Sequence, residues 1–219
     1  MNVPGQSRSR SPGAAIGALV KTLLYPVARY QRRQIWRVSL AAPREPSQWR
    51  EGESLVIVGP SNFQAEVTEE VVTFVGNDHA ALEGVRRGDS LCLVKDGAGL
   101  LACTYAFFAA NTPETGRQST ILGVSPQTPI VGLSFTIPRA RGRAIYRRAL
   151  NDIFAHLHRQ GCRECICEIE PGNKPSQAAS RGAGMTLYQE LADVIVLKRL
   201  VIQRVRPVDG RPSWRAFFV

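Results

Sequence analysis

The sequence predicts a mixed α/β (α+β) fold, in which a mostly antiparallel sheet is flanked by helices. Two observations support this prediction. Short strand signals and a hairpin fill the first part of the body, whereas a buried strand, a helix and another strand follow one another later. Antiparallel hairpins and a β-α-β unit can share one sheet when helices cover its faces. The chain has 219 residues, 44% of them hydrophobic, which is enough for one sizeable core.

The N-terminal segment differs from the rest of the chain in charge. Residues 1–50 hold nine Lys or Arg against one acidic residue, so they supply +8 of the net charge of +10. We expect residues 1–13, rich in Ser, Pro, Gly and Arg, to form a disordered tail. The apolar positions of "AAIGALVKTLL" recur at helical spacing, so residues 14–45 are predicted as a basic amphipathic helical extension. Residues 46–219 then form the body.

This extension limits the partners that the sequence indicates. A transmembrane span needs about 20 apolar residues, whereas Lys21 and Pro26 interrupt this run. A basic amphipathic helix suits an anionic membrane surface or an acidic carrier protein, and packing of its apolar face on the body is the alternative. Specific nucleic-acid binding is not expected, because the body is nearly neutral and carries no recognised reading motif.

Five cysteines, an odd number, indicate free thiols and a reducing compartment. The run "CRECIC" has a Cys-x-x-Cys spacing, with His156 and His158 upstream, but no second Cys pair completes a four-ligand zinc site. Cys165 and Cys167 alternate with Ile166, as residues on one side of a strand do. We therefore expect no metal and a cytoplasmic protein. A peripheral position at the inner face of the membrane would follow if the extension binds there rather than packing on the body.

The elements of the body follow in order. "SLVIVG" and "VVTFVG" are β-branched runs bounded by Gly and are predicted strands. Asp96-Gly97, between two apolar runs, predicts a hairpin, and "NTPETGRQST" a polar loop. "IVGLSFTI" and "ECICEI" predict strands, separated by a helix whose apolar positions run over 145–157 and which Gly161 ends. "KPSQAASRGAG" predicts a short helix, and "DVIVLKRLVIQRV" a final strand or strand pair.

The stretch "RARGRAIYRRAL", residues 139–150, places a glycine and five arginines where a strand hands over to a helix. The first-turn amides of a helix are unpaired, and the aligned peptide dipoles add about half a positive charge there. Gly142 lets a phosphate approach the backbone, and Ala144 keeps a nearby position small. The P-loop and Rossmann patterns are absent. The stretch therefore predicts a phosphate site, with a solvated basic helix start as the alternative.

The run Arg139-x-x-Gly142-x-Ala144 resembles the Gln/Arg-x-x-Gly-x-Gly/Ala signature of the GNAT superfamily of N-acetyltransferases, in which that turn and helix bind the pyrophosphate of acetyl-CoA. The run "EIEPGNKPSQAASRGAGM" is similar to the strand-turn-helix of that family. The positions that match it are Asn173, Ser176, Gly184 and Met185. The resemblance covers about residues 80–200, and the N-terminal extension has no counterpart in it.

The resemblance implies acyl-CoA as co-substrate and a set of residues that bind it. The implied contacts are Ile137, Arg139, Arg141, Gly142, Arg143, Ala144, Ile145, Asn173, Ser176 and Ser180. It also implies that backbone amides around residues 135–137 bind the oxyanion. Ser180 stands where many family members carry a tyrosine that protonates the leaving thiolate. Tyr146 and Tyr188 are other candidates, but the sequence places neither near the sulfur, so the acid is unassigned.

Acyl transfer to an amine also needs a base, because an unperturbed primary amine, with a pKa of ~8 to ~10.4, is mostly protonated at neutral pH. Glu168 stands five positions before Asn173, where some family members carry a glutamate in this role. Glu170, on the same side of the strand, is the second candidate.

The sequence thus predicts a GNAT-type N-acyltransferase that moves acetyl from acetyl-CoA to a primary amine of a small molecule or cell-envelope precursor. A long-chain N-acyltransferase of lipid biosynthesis, using acyl-CoA or acyl carrier protein, is an alternative, because a pyrophosphate site does not report the acyl chain. A non-catalytic CoA-binding module is another, because the tyrosine is missing. A homodimer is compatible with each of these predicted functions. No sequence motif identifies the acceptor.

Overall fold

The computed structural model describes residues 28–108, 122–197 and 199–218. Nine strands lie within these ranges. They are β1 (Ala28–Ser39), β2 (Ser54–Val58), β3 (Ser90–Asp96), β4 (Gly99–Phe107), β5 (Ile130–Thr136), β6 (Glu164–Ile169), β7 (Thr186–Val196), β8 (Leu200–Pro207) and β9 (Ser213–Phe218). The helices are α1 (Phe63–Glu66), α2 (Glu69–Phe74), α3 (His79–Arg86), α4 (Ile145–Arg159) and α5 (Lys174–Gly182).

All nine strands form one sheet, in the order β2-β3-β4-β5-β6-β1-β7-β8-β9. Every neighbouring pair is antiparallel except β5 and β6. This parallel pair shares only two register positions, Ile130 with Ile166 and Val131 with Cys167, before the strands diverge. The prediction of a mixed, mostly antiparallel sheet with helices is confirmed, and the divergence opens a gap in the middle of the sheet.

Each face of the sheet carries its own hydrophobic cluster. On one face the buried side of α4, which includes Ile153, Phe154 and Leu157, packs on the inward residues of β3, β4 and β6. On the other face Val71 of α2 and Leu82 of α3 pack on the opposite side of the same strands. The apolar spacing that predicts α4 is therefore the spacing of its core contacts. No helix in the described ranges is long and apolar enough to cross a bilayer.

The prediction of a helical extension over 14–45 is wrong where the structure describes it. Residues 28–39 form β1, which lies between β6 and β7 near the middle of the sheet. Its register buries Ile35 on one face of the sheet, and Trp36 and Val38 on the other. Helical periodicity does not continue beyond Pro26, and these β-branched and aromatic residues fit a strand buried on both faces.

Residues 1–27 lie outside the described residues, and with them the predicted tail 1–13 and the first part of the extension. The proposed boundary at residue 46 is not a boundary of the fold, because β1 precedes it and completes the same sheet. The predicted loop "NTPETGRQST" also lies outside the described residues.

One predicted strand of the body is a helix instead. "VVTFVG" falls in α2, which begins at Glu69. Thr68 caps this helix, since its side chain accepts a hydrogen bond from the amide of Val71, and two glutamates fill the first turn. Capping and favourable dipole interactions outweigh the strand preference of a short β-branched run. The hairpin at Asp96-Gly97, the helices α4 and α5 and a closing strand pair, β7 and β8, are as predicted.

Candidate functional site

A cleft of about 800 Å³ opens where β5 and β6 diverge. Its walls are the end of β5, the turn that follows it, the first turn of α4 and the start of α5. From the predicted set, the structure brings six residues to this cleft: Arg141, Gly142, Ala144, Ile145, Asn173 and Ser176. The cleft therefore joins both parts of the sequence that carry the family resemblance.

A β-bulge shapes the β5 wall of the cleft. Tyr105 pairs with Gly132 and Cys103 with Phe135, so two residues of β5 lie opposite one residue of β4. Leu133, in the bulge, has a φ of 48°. Such a bulge bends the strand and ends its pairing, which is how β5 turns away from β6.

The bulge also decides which amide of β5 faces the cleft. The amide of Ile137 donates to the carbonyl of Leu101 at 3.0 Å, so it is already paired. Strand alternation then directs the amide of Thr136 away from β4 and toward the cleft. Ile137 itself packs against the core beside α4 and does not line the cleft. Of the amides around residues 135–137, that of Thr136 is the one directed toward the cleft.

The turn between β5 and α4 presents its backbone to the cleft. Gly142 has a φ of 77°, and Ala144, which precedes the helix, has a φ of 56°. A Cβ on Gly142 would meet no protein atom within 4 Å, so it would project into open space. The amide of Arg148 donates to the carbonyl of Ala144 at 3.1 Å, which leaves the amides of residues 145–147 without a partner inside the helix. An anion is the natural partner for such a helix start.

The arginines of this stretch divide into two groups. Arg141 and Arg147 line the cleft, and no ion pair among the described residues involves either of them. Arg139 instead pairs with Asp96 at 3.0 Å, and this hydrogen bond lowers the pKa of the Asp96 carboxyl. Arg143 pairs with the buried Glu53 at 2.5 Å. The predicted contacts Arg139 and Arg143 thus hold the turn against neighbouring elements, and their side chains do not line the cleft.

The opposite wall comes from the N-terminus of α5. The side chain of Asn173 caps this helix by accepting a hydrogen bond from the amide of Ser176 at 3.1 Å. Both residues line the cleft, so the cap orients them there. Ser180, one turn further, is fully buried beside Cys167 and does not reach the cleft. The residue that replaces the family tyrosine therefore supplies no group to this space.

A tyrosine reaches the cleft from the other helix. Tyr146, in the first turn of α4, places its hydroxyl 3.9 Å from the Sγ of Cys167, with the side chains of Ser134 and Ser176 as further hydrogen-bonding neighbours. Burial, and then the thiol of Cys167, raise the pKa of Tyr146, so the phenol stays protonated. The sequence contained no sign of this placement beyond the position of Tyr146 in the first helical turn.

The two candidate bases lie at the end of β6. Glu168 points to the face of the sheet opposite α4, where Arg33 of β1 donates to its carboxylate at 3.2 Å. Glu170 follows the strand and is exposed, and its carbonyl accepts from the amide of Asn173. Neither lines the cleft, and Glu168 lies on the other face of the sheet.

Arg33 belongs to a buried polar chain that crosses the sheet. Its guanidinium also donates to Asp193 of β7, which is fully buried. Asp193 accepts from Gln203 of β8 at 2.7 Å, and Gln203 accepts from Arg215 of β9 at 2.5 Å. Five strands that are neighbours in the sheet each supply one member, in the order β6, β1, β7, β8 and β9. Sequence reasoning missed this chain, because its members are far apart in the sequence.

The cysteines and histidines do not form a metal site. Cys165 and Cys167 face the core under α4, where burial raises the pKa of Cys167 to about 12. His158 contacts the carbonyl of Leu40 at 2.7 Å. Within the described ranges no group of three or more His, Cys, Asp or Glu is arranged to hold a metal ion.

Comparison with known proteins gives matches among solved structures alone; no protein-family model and no curated protein matches the chain. A putative acetyltransferase of the GNAT family from Novosphingobium aromaticivorans matches with a TM-score of 0.50 and 14% identity, over 77% of this chain and 66% of that one. A GCN5-related N-acetyltransferase from Sphaerobacter thermophilus matches with a TM-score of 0.50 and 14% identity, over 81% and 55%.

A third match is a tandem GNAT protein from the clavulanic acid biosynthesis pathway, with a TM-score of 0.50 and 16% identity, over 86% of this chain and 59% of that one. The chain thus spans less than two thirds of the length of each of these three structures. The shared feature is the fold, which is that of the GNAT acetyltransferases and confirms the resemblance in the sequence at that level.

Proposed function

We propose that this chain, which has the fold of the GNAT acetyltransferases, is an acyl-CoA-dependent N-acyltransferase. The observation that carries the proposal is the cleft between β5 and β6. There a turn in left-handed conformations and the open start of α4 adjoin Arg141 and Arg147, for which the described residues provide no ion-pair partner. Backbone amides and cationic side chains at one helix N-terminus are the chemistry that a pyrophosphate needs. The alternative, a basic helix start that is only solvated, does not account for a cleft of this size beside it.

The pyrophosphate of CoA would bind at the turn around Gly142, with Arg141 and Arg147 beside it. The pantetheine arm would then run along the gap between β5 and β6, because the backbone of these diverging strands lines the gap. This places the thioester near the β-bulge. The amide of Thr136 would donate to the carbonyl oxygen and stabilise the negative charge that develops on it.

The acceptor amine would approach from the face that carries Glu168. The carboxylate takes a proton from the amine, directly or through a water molecule, so that the nitrogen can attack the thioester carbonyl. The new C–N bond forms, the C–S bond breaks, and the electron pair leaves on the sulfur. Arg33 of β1, which donates to the carboxylate, would hold Glu168 in place on this face.

Tyr146 would serve the leaving sulfur. Its raised pKa makes full proton transfer to a thiolate, whose own pKa is about 8.5, unfavourable. A hydrogen bond to the sulfur is favourable, because it stabilises the developing thiolate without separating new charge. In this proposal the hydroxyl that the family supplies at the position of Ser180 comes instead from α4.

We propose acetyl as the acyl group and a primary amine of a small molecule or cell-envelope precursor as the acceptor. The experiment that tests the function is calorimetric titration of the full chain with acetyl-CoA, a long-chain acyl-CoA and free CoA. Tight binding of acetyl-CoA supports the proposal, and a clear preference for the long chain would move the activity to lipid or acyl-carrier chemistry. Binding without acyl transfer to any of a panel of primary amines would indicate a CoA-binding module, and absence of binding would overturn the proposal.

A further inference from the structure

Among the described residues, no helix packs on one face of β8 and β9 and of the adjoining ends of β1 and β7. On the side of α4 and α5, the helices cover the sheet only as far as Trp36 of β1, where Arg181 of α5 stacks on the indole. Beyond it three aromatic side chains are open to solvent: Tyr30 is 61%, Trp214 67% and Phe218 79% exposed. On the opposite side β7 and β8 have buried residues at alternate positions, so on these two strands the exposure belongs to one face.

The strand register arranges this exposed face in rows that cross β1, β7, β8 and β9. The first row runs from Ala28 to Phe218, and the second runs from Tyr30 through Ile202 to the middle of β9. Every side chain in these two rows is aliphatic or aromatic. With strands about 4.8 Å apart and rows about 7 Å apart, they form a flat apolar area of the kind that marks an interaction site.

The next two rows change from apolar to basic. The third contains Arg32 and Arg204 and ends in Trp214, whose ring lies 5.8 Å from the Arg204 guanidinium. The fourth contains Glu190 beside Arg206. Three arginines thus stand beside one carboxylate. Tyr30 lies in the second row and Trp214 in the third, whereas Phe218 lies in the first row. We call these four rows the amphipathic sheet face.

We propose that the amphipathic sheet face docks on an anionic phospholipid membrane surface. The face combines the three kinds of side chain that a membrane surface accommodates: aliphatic groups suit the acyl boundary, Trp and Tyr the interfacial level, and arginines the lipid phosphates. The excess of arginine over carboxylate supplies the charge complementarity. The catalytic cleft, on the far side of β6, stays open when this face is bound.

A second copy of the chain fits this face less well. Pairing two such faces would bury Arg32 and Arg204 with a single carboxylate, Glu190, available on each face, and Glu190 already accepts from Gln34 and lies 3.9 Å from Arg206. Burial of charge without a partner opposes association. An anionic surface has no such penalty, because it provides a phosphate for each arginine.

Vesicle binding with tryptophan fluorescence tests the proposal. The full chain is mixed with vesicles of phosphatidylcholine, with and without phosphatidylglycerol. Of the three tryptophans, Trp36 is buried and Trp49 half-buried, so a blue shift on binding reports Trp214. We expect sedimentation with the anionic vesicles and a blue shift that Trp214→Phe removes. Arg32→Gln with Arg204→Gln should weaken binding about tenfold or more.

Two control variants isolate the face. Val208→Ser removes an exposed apolar side chain beyond the polar end of β8, and Arg86→Gln removes an exposed arginine on α3; both should bind vesicles as the parent does. Failure to bind anionic vesicles would overturn the proposal. So would binding that leaves the emission unchanged and tolerates the face variants, since that points to residues 14–27 alone. A dimer in sedimentation velocity, with Trp214 shielded from quenchers before vesicles are added, would assign the face to a second copy and equally overturn the proposal.

Discussion

At the scale of single residues, the cleft depends on backbone conformations that few side chains adopt. Gly142 and Ala144 both have positive φ values within one turn, and together they aim the chain into α4 with its first amides free. For alanine this conformation is strained, whereas glycine adopts it without strain. Strain held at a cleft wall is common where backbone groups meet a ligand.

Gly142→Glu should abolish acyl-CoA binding by placing a carboxylate where the pyrophosphate would bind. Gly161→Glu is the matched control, because Gly161 also has positive φ and open space around it but lies at the far end of α4. Both variants bear the same backbone strain, so calorimetry on the two separates strain from ligand repulsion. Normal affinity in Gly142→Glu would remove the turn from the proposed site.

Tyr146→Phe should lower kcat about tenfold to a hundredfold, with little change in the affinity for acyl-CoA, because one hydrogen bond to a developing charge is lost. Tyr188→Phe, at the other tyrosine that the sequence offers, should leave kcat unchanged. Equal rates for Tyr146→Phe and the parent enzyme would exclude Tyr146 from departure of the thiolate.

Glu168→Gln should lower the rate mainly below the pKa of the acceptor amine, where a base is needed, and much less above it. The control is Glu164→Gln, on the same face of β6 and 3.8 Å from an arginine, Arg37. Steady-state rates across pH with a primary amine acceptor measure the effect. An unchanged pH profile would remove Glu168 from the mechanism.

At the scale of elements, β1 joins the two parts of the sheet and positions the proposed base. It is a strand from the N-terminal part of the chain, inserted between β6 and β7, and it brings Arg33 between Glu168 and Asp193. A buried carboxylate such as Asp193 is tolerated only because it is paired and hydrogen-bonded. The polar chain therefore fixes the register of β1 against both of its neighbours.

Arg33→Gln should destabilise the protein by about 3 kcal/mol, because Asp193 would remain buried without its cation. Arg32→Gln provides a close control, since Arg32 is the adjacent residue on the exposed face of the same strand and should change stability by less than about 0.5 kcal/mol. Urea unfolding of the two variants makes the comparison. Similar urea midpoints for the two variants would show that the buried polar chain through Arg33 contributes no net stability.

At the scale of the whole molecule, ion pairs connect parts of the chain that the sheet does not hold together. Glu53, just before β2, accepts from Arg143 at 2.5 Å and from Arg148 of α4 at 2.7 Å. Burial raises the pKa of Glu53, but the hydrogen bonds from Arg148, the amide of Arg50 and Arg143 outweigh that effect and leave the pKa lowered. The two ion pairs of Glu53 link the edge of the sheet to the helix that forms the cleft.

A lowered folded-state pKa means that Glu53 stabilises the protein above its unfolded pKa, near 4.3, and that this contribution is lost as the pH falls through the lower folded value. Glu53→Gln should therefore lower stability by about 2 kcal/mol at pH 7 and by less near pH 3. Thermal unfolding from pH 7 to pH 3 measures this. A pH-independent difference would show that packing, and not the charge of Glu53, stabilises this contact.

The sequence alone determined the features that depend on neighbouring residues. The spacing of apolar residues predicted α4, and Asp96-Gly97 predicted the β3-β4 hairpin. The turn at Gly142, which the sequence marked as a candidate phosphate site, lies in the wall of the cleft. Periodicity, turn chemistry and helix ends are properties of a few consecutive residues, so they are legible without the fold. The family resemblance rested on the same local pattern and correctly indicated the fold.

Only the tertiary structure decided which distant residues meet. It placed β1 in the middle of the sheet, paired Arg33 with Glu168, brought Tyr146 to the cleft, and left the aromatic side of β9 uncovered. Strand order and register are set by pairing between segments that lie far apart in the sequence; Arg33 and Asp193, for example, are 160 residues apart. Such pairings cannot be recognised in either segment, because the alternating pattern of a strand is the same whichever strand lies beside it.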